Sequence, residues 1–270
     1  MSETVLMQIE DGVALLTLNR PQRLNAWTAE MEHAYFDRLE RCARDEDVRA
    51  IVVTGAGRGF CAGADMDQLQ ALGEAGGAAG EPVRERRAQT FPLTIPKPIV
   101  AAINGPCAGI GLVQALMCDL RFAAAGAKLT TAFARRGLVA EHGISWMLPK
   151  LVGPARALDL LLSARVVLAE EACELGLVGR VLAPDELLAA TLRYARELAV
   201  NCSPASMATI KRQVYGDLAR SLPDALADAD RLMLASFAQP DFPEGVASFV
   251  ERRAPRFAAL ATGAPPASSP

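Results

Sequence analysis

The chain has 270 residues, 51% hydrophobic and 22% charged, with a formal net charge of −3, which gives room for one large domain or one domain with an appendage. A slightly acidic balance with 5% aromatic residues leaves no basic footprint for nucleic acid and few platforms for base stacking. No apolar run approaches the roughly 18 residues of a membrane span, and Met1-Ser2-Glu3-Thr4 lacks the features of a secretion signal, so no membrane association and a cytoplasmic location are expected.

Residues 5–18 read as two short strands around the turn Asp11-Gly12. Thr28 is placed to cap a helix reaching Arg44, with Met31, Tyr35, Phe36 and Leu39 on its apolar face. The β-branched run at 50–54 is a buried strand closed by Gly55, and a short helix starts from Asp65. Residues 72–81, rich in Gly and Ala, read as a mobile surface loop. A second buried strand covers 99–103 and stops at Asn104-Gly105; a helix follows from about Gly109 to Cys118. Strands are expected at 120–124, 129–131 and 178–181, with helices at 144–151, 154–162 and 169–175, the last ended by Gly176. From Pro184 the pattern is helical almost to Leu260, and 261–270 reads as a disordered tail. The recurring order of strand, turn and helix predicts parallel strands with helical crossovers. The domain division expected is a core at 1–195, a helical section at 196–260 and the tail.

The six cysteines, Cys42, Cys61, Cys107, Cys118, Cys173 and Cys202, contain no C-x-x-C pair and read as free thiols of a reducing compartment. Two histidines, His33 and His142, are too few for a histidine-rich metal site. The chemistry-bearing pattern is a pair of small-residue turns, each after an apolar run: Phe60-Cys61-Ala62-Gly63-Ala64-Asp65 and Asn104-Gly105-Pro106-Cys107-Ala108-Gly109-Ile110-Gly111. Backbone N–H groups at such turns supply preorganised donors to an oxygen on which negative charge develops. Either turn alone is better explained as a tight strand-to-helix connection. Neither fits a dinucleotide site, because the G-x-G-x-x-G pattern with its following acidic residue is missing.

Taken in order, these segments resemble the enoyl-CoA hydratase/isomerase (crotonase) family. The resemblance also rests on Asn19-Arg20-Pro21 with Asn25-Ala26, Lys97-Pro98-Ile99, Met117-Cys118-Asp119-Leu120-Arg121, Leu148-Pro149-Lys150-Leu151-Val152-Gly153 and Phe249-Val250-Glu251-Arg252-Arg253. It implies an α/β fold, a crotonase-like spiral of ββα units with a C-terminal helical section for trimerisation and CoA contact. It also implies an acyl-CoA substrate and a homotrimer or a dimer of trimers. No metal and no cofactor beyond the coenzyme A of the substrate is implied. By residue-for-residue carry-over, the thioester oxygen would lie between the N–H groups of Ala64 and Ile110, with Ala62, Gly63, Asp65 and Gly109 forming the turns. Arg23 and Arg252 would approach CoA, though each is equally an ordinary solvated charge.

The two positions where typical hydratases of the family carry a carboxylate pair hold Val113 and Phe133, which neither accept nor donate a proton. One acid remains nearby, Glu141, counted back from Leu151-Val152-Gly153 to the position where related isomerases and a dehalogenase of the family carry an aspartate. A carboxylate there, in a pocket expected to include Phe133, Leu138 and Trp146, would suit proton transfer. The alternative is that Glu141 caps the next helix or pairs with a charge. Three readings compete: a single-carboxylate isomerase moving a double bond, a hydratase working with Glu141 and water, and a non-catalytic acyl-CoA-binding protein. Thioester hydrolysis or substitution with Glu141 as nucleophile is a weaker fourth. Cys61 and Cys107 read as packing residues, and Asp65 as an organiser of its turn.

Overall fold

Asp11 and Gly12 have φ of 51° and 76°, the paired left-handed conformation of a two-residue hairpin turn. They join β1 (Val5–Glu10) to β2 (Val13–Leu18) in antiparallel register, with Glu10 opposite Val13. The computed structural model describes residues 3–74 and 87–260. Thr28 caps α1 (Ala29–Arg44) through a 3.2 Å bond from Met31 N–H to its hydroxyl, and Met31, Tyr35, Phe36 and Leu39 are buried. β3 (Ala50–Gly55) is buried at every residue, as expected of a strand covered on both faces.

The ββα repeat follows from how successive strands are shared between two sheets. After α2 (Met66–Glu74), β4 (Ile99–Ile103) is followed by β5 (Cys107–Ala108) and α3 (Ile110–Leu116). β6 (Leu120–Ala124) is followed by β7 (Lys128–Thr130) and α4 (Ile144–Val152). In each unit the first strand joins a six-stranded sheet and the second joins a three-stranded sheet. The larger sheet has the order β1-β2-β3-β4-β6-β9, closed by β9 (Arg180–Leu182), and is parallel from β2 onward. The smaller sheet has the order β5-β7-β8, with β8 at Val167–Leu168. Between β7 and α4 a 3-10 turn occupies Ala134–Arg136; α5 (Pro154–Ser163) and α6 (Ala169–Glu174) follow.

The C-terminal part is helical, as its pattern predicts, but stops short of the expected end near Leu260. It divides into α7 (Leu187–Asn201), α8 (Pro204–Asp217), α9 (Leu222–Phe237) and α10 (Asp241–Glu251), and residues 252–260 are not helical. Arg252 terminates α10 with a left-handed φ of 54°, and Arg253 and the Arg256 N–H both bind Glu244, so the chain folds back along the helix it has just left. A boundary between 195 and 196 falls inside α7, which lies across β2, β3, β4 and β6. α8 is fastened to the core by Asp119: its carboxylate accepts from Ile99 N–H (2.7 Å), Lys211 Nζ (2.8 Å) and Tyr215 Oη (2.9 Å). The loop expected at 72–81 also changes: residues 72–74 complete α2, and 75–81 lie outside the described residues, as does the tail.

Candidate active site

The two small-residue turns lie beyond the C-terminal ends of β3 and β4, where parallel α/β sheets place their ligands. Two buried or half-buried asparagines hold them. Asn25 donates to the carbonyls of Ala56 (3.0 Å) and Gly59 (2.8 Å) while accepting from Arg20 N–H. Asn104 accepts from Gly55 N–H and donates to Gly55 O (2.9 Å) and Gly57 O (3.0 Å).

The turns then meet. Cys61 and Cys107 form an isolated parallel bridge, with Ala108 N–H donating to Cys61 O at 2.9 Å. Gly63 and Gly109 have φ of 107° and 50°, and a Cβ on Gly109 would lie 3.8 Å from Gly63 Cα, so the two backbones pass at near contact. Gly111 is required by space: a Cβ there would stand 2.4 Å from Cys61 O. Gly111→Ala is therefore expected to destabilise the fold by about 1–3 kcal/mol or more, read as a fall in chemical-denaturation midpoint; an unchanged midpoint would show that the turns are not in contact.

Among the described residues, the N–H group of Ala64 and those of the first three residues of α3, Ile110, Gly111 and Leu112, have no acceptor. Trp27 brackets the first: its N–H donates to Gly63 O (2.7 Å) and its carbonyl accepts from Asp65 N–H (2.9 Å), leaving the intervening Ala64 N–H unused. Of the three in α3, Ile110 is the first residue of the helix and has no intrahelical acceptor. The preceding N–H, on Gly109, is committed to Thr130 O at 3.1 Å. The half-buried Ala64 and the buried Ile110 thus present donors from two chain segments that pack on each other.

Val113 and Phe133 are brought to the same region. Val113 lies one turn into α3, its N–H on Gly109 O, and Phe133 follows the Thr130 that receives Gly109. Both are buried in the apolar core. Glu141 is half-buried, its Oε2 3.3 Å from His142 Nε2, and its carbonyl accepts from Ile144 N–H ahead of α4. Two residues on from Glu141, Gly143 lies close to Thr90 and Met117: a Cβ there would stand 3.0 Å from Thr90 Cγ2 and 3.7 Å from Met117 Cε. The apolar pocket expected around Glu141 is only partly found. Leu138 and Trp146 are exposed, because α4 turns Trp146 outward to lie beneath Lys150 Nζ at 4.6 Å. Phe91 is packed edge-on against Phe36 and beneath Arg87.

The remaining predicted residues have structural partners. The Asp65 carboxylate accepts from Asp67 N–H and pairs with Arg20 at 3.0 Å. Burial acts against its charge, but Arg20 and the Asp67 N–H outweigh it and hold the carboxyl below its ordinary range. Ala62 donates to Leu24 O. Arg23 is exposed and paired with Asp67, and Arg252 is exposed at the end of α10. All six cysteines are free; burial pushes the Cys61 thiol up to about 12 and raises that of Cys107 strongly, so neither is a thiolate at neutral pH. Trp27 and Arg20 are the positioning residues that sequence reasoning missed. Arg20 lies within the Asn19-Arg20-Pro21 segment and Trp27 directly follows Asn25-Ala26, which was their only signal.

The repeated strand-turn-helix units, shared between a six-stranded and a three-stranded sheet, define an α/β spiral fold. The enoyl-CoA hydratase/isomerase family model matches residues 8–259, and the chain belongs to that family. Among its relatives, 1,2-epoxyphenylacetyl-CoA isomerase of Escherichia coli is 34% identical, over 95% of this chain and 99% of that protein. A protein described as a probable enoyl-CoA hydratase of Rhodobacter capsulatus is 38% identical, over 94% and 97%. Among solved structures, a probable enoyl-CoA hydratase/isomerase of Mycobacterium abscessus superposes with a TM-score of 0.86 at 32% identity, covering 95% of this chain and 99% of that one. An enoyl-CoA hydratase of Mycobacterium marinum is 51% identical with a TM-score of 0.70, covering 81% and 100%. The fold is the crotonase fold, and the chain is an acyl-CoA-processing enzyme of this family.

Proposed function

We propose that the chain moves the double bond of an enoyl-CoA thioester, using one carboxylate. The observation that carries this reading is the combination of two unused N–H groups, on Ala64 and Ile110, with apolar side chains at Val113 and Phe133. The donors suit a thioester oxygen that becomes an enolate, where negative charge grows during the reaction. With that charge held, the proton at C2 is acidic enough for a carboxylate to remove. Glu141 takes it as the base and, now a carboxylic acid, returns it at C4; the double bond shifts and the base is regenerated. Hydration needs a second group to hold and deprotonate water, and Val113 and Phe133 offer none. That is why isomerisation is favoured over hydration, and over a passive binder that would have no use for Glu141.

CoA arrives as part of the substrate, so the proposed steps call for no further cofactor. In this reading Arg23 would approach its phosphates, and Arg252 would do so from a neighbouring subunit. Supporting the latter, the segment after α10 is held at the opposite end of the sheet from the turns: Phe257 O accepts from Arg49, just ahead of β3. α9 and α10 expose Leu222, Leu234, Phe249 and Val250, an apolar surface suited to trimer or hexamer assembly. Free thiols in a buried setting fit a cytoplasmic location; among the described residues no helix is long and apolar enough to cross a membrane.

Incubation with crotonyl-CoA and a 3-enoyl-CoA in deuterated water tests the reaction by mass spectrometry. The expected result is double-bond migration or deuterium uptake without addition of water. A mass gain of one water would instead establish hydration, and no change in either substrate despite binding would favour the passive binder.

A further inference from the structure

Behind the turns lies a chain of polar side chains that the proposed reaction does not use. Trp27, Glu32, Gln89 and Gln114 are each at most 8% exposed. Glu32 Oε2 accepts from Trp27 Nε1 at 3.2 Å and from Gln89 Nε2 at 2.5 Å. Gln89 Oε1 in turn accepts from Gln114 Nε2 at 2.7 Å. A carboxylate only accepts, so Glu32 dictates the order: Gln89 must turn its amide nitrogen toward Glu32 and its oxygen toward Gln114. Gln114 Oε1 is left buried without a partner among the described residues. An apolar side chain at position 32 would take the acceptor from the buried Trp27 Nε1–H and Gln89 amide, and an acceptor of any kind would satisfy them. What the carboxylate adds is direction, because a connected buried network admits one arrangement.

Each end of this chain reaches one part of the site. The Trp27 backbone brackets Ala64, one proposed donor. Gln114 lies in α3, whose first residue is Ile110, the other donor, so fixing the helix fixes that N–H. Gln89 precedes Thr90, whose Cγ2 would stand 3.0 Å from a Cβ on Gly143, in the turn that carries Glu141. Three segments far apart in sequence thus refer to one oxygen atom on α1.

We infer that Glu32 is a positioning residue that sets the spacing of the Ala64 and Ile110 N–H groups through its bonds to Trp27 and to Gln89–Gln114. The inference rests on the reading that those groups receive a thioester oxygen. The test uses the full chain and butyryl-CoA carrying 13C at the thioester carbonyl, which binds but has no double bond to move. Its carbonyl shift reports polarisation by the two donors; kcat and KM are measured separately on a 3-enoyl-CoA. Bound to the wild type, the carbonyl is expected to move downfield. Glu32→Gln is expected to keep most of this shift, since one amide oxygen accepts both bonds. Glu32→Met and Gln114→Leu are expected to lose most of it, with kcat down about 10- to 100-fold and KM within about threefold. A folded Glu32→Met variant with unaltered shift and kcat would overturn the inference, as would a Glu32→Gln variant equally impaired. If Glu32→Met does not fold, Gln114→Leu and Gln89→Leu decide by the same readouts. No carbonyl shift in the wild type would reject the donor reading itself, and this inference with it.

Discussion

Glu141→Gln is expected to bind an enoyl-CoA as the wild type does and to lose turnover by about 10²- to 10⁴-fold, the usual worth of a positioned acid–base group. The exchange is nearly isosteric, and glutamine can still accept from His142 across the 3.3 Å contact that Glu141 makes. What it cannot do is carry a proton from C2 to C4. Deuterium exchange at C2 should vanish together with bond migration, because one group serves both steps. Titration with a CoA ester should give an unchanged Kd. Turnover at the wild-type rate would remove Glu141 from the mechanism. The family class would then stand with another base.

Ile110→Pro addresses the backbone itself and is expected to lower kcat by about 10²- to 10³-fold, the cost of deleting one donor to a developing oxyanion. Proline has no N–H, yet it is well tolerated at the first position of a helix, where the N–H has no intrahelical acceptor. The preceding residue suits it too. Gly109 has φ 50° and ψ −123°, the mirror image of the extended conformation that residues before proline favour, and only glycine occupies it readily. Ile110→Val keeps the N–H and trims one methylene, at about 0.5–1.5 kcal/mol of stability, and serves as the control for the lost side chain. A proline variant that folds and retains kcat would show that the Ile110 N–H does not hold the reacting oxygen.

The parts of this molecule that local chemistry governs were readable in advance. Asp11-Gly12 demands a tight hairpin, Thr28 starts α1 by accepting Met31 N–H, and the apolar runs of β3 and β4 declare strands covered on both faces. The paired glycine turns, with the ordered motifs around them, pointed to the family that the comparisons show. The family resemblance also set Val113 and Phe133 at the positions where typical hydratases would carry a carboxylate pair, an alignment that remains an expectation.

Other features were not readable, for reasons of range and size. The strands Cys107–Ala108 and Val167–Leu168 are two residues long, too short for any alternation to register, and exist only because neighbours in the smaller sheet complete their hydrogen bonds. The exposure of Trp146 depends on the rotation of α4, which its own pattern did not specify. The bracketing of Ala64 by Trp27 and the Glu32–Gln89–Gln114 chain join residues separated by up to 57 positions. Sequence alone determined which residue types were available at the turns and that no carboxylate pair was among them. Tertiary structure decided which N–H groups were left without acceptors and which buried polar side chains bond to one another, because hydrogen-bond partners are assigned by packing between distant segments and not by neighbours in the chain.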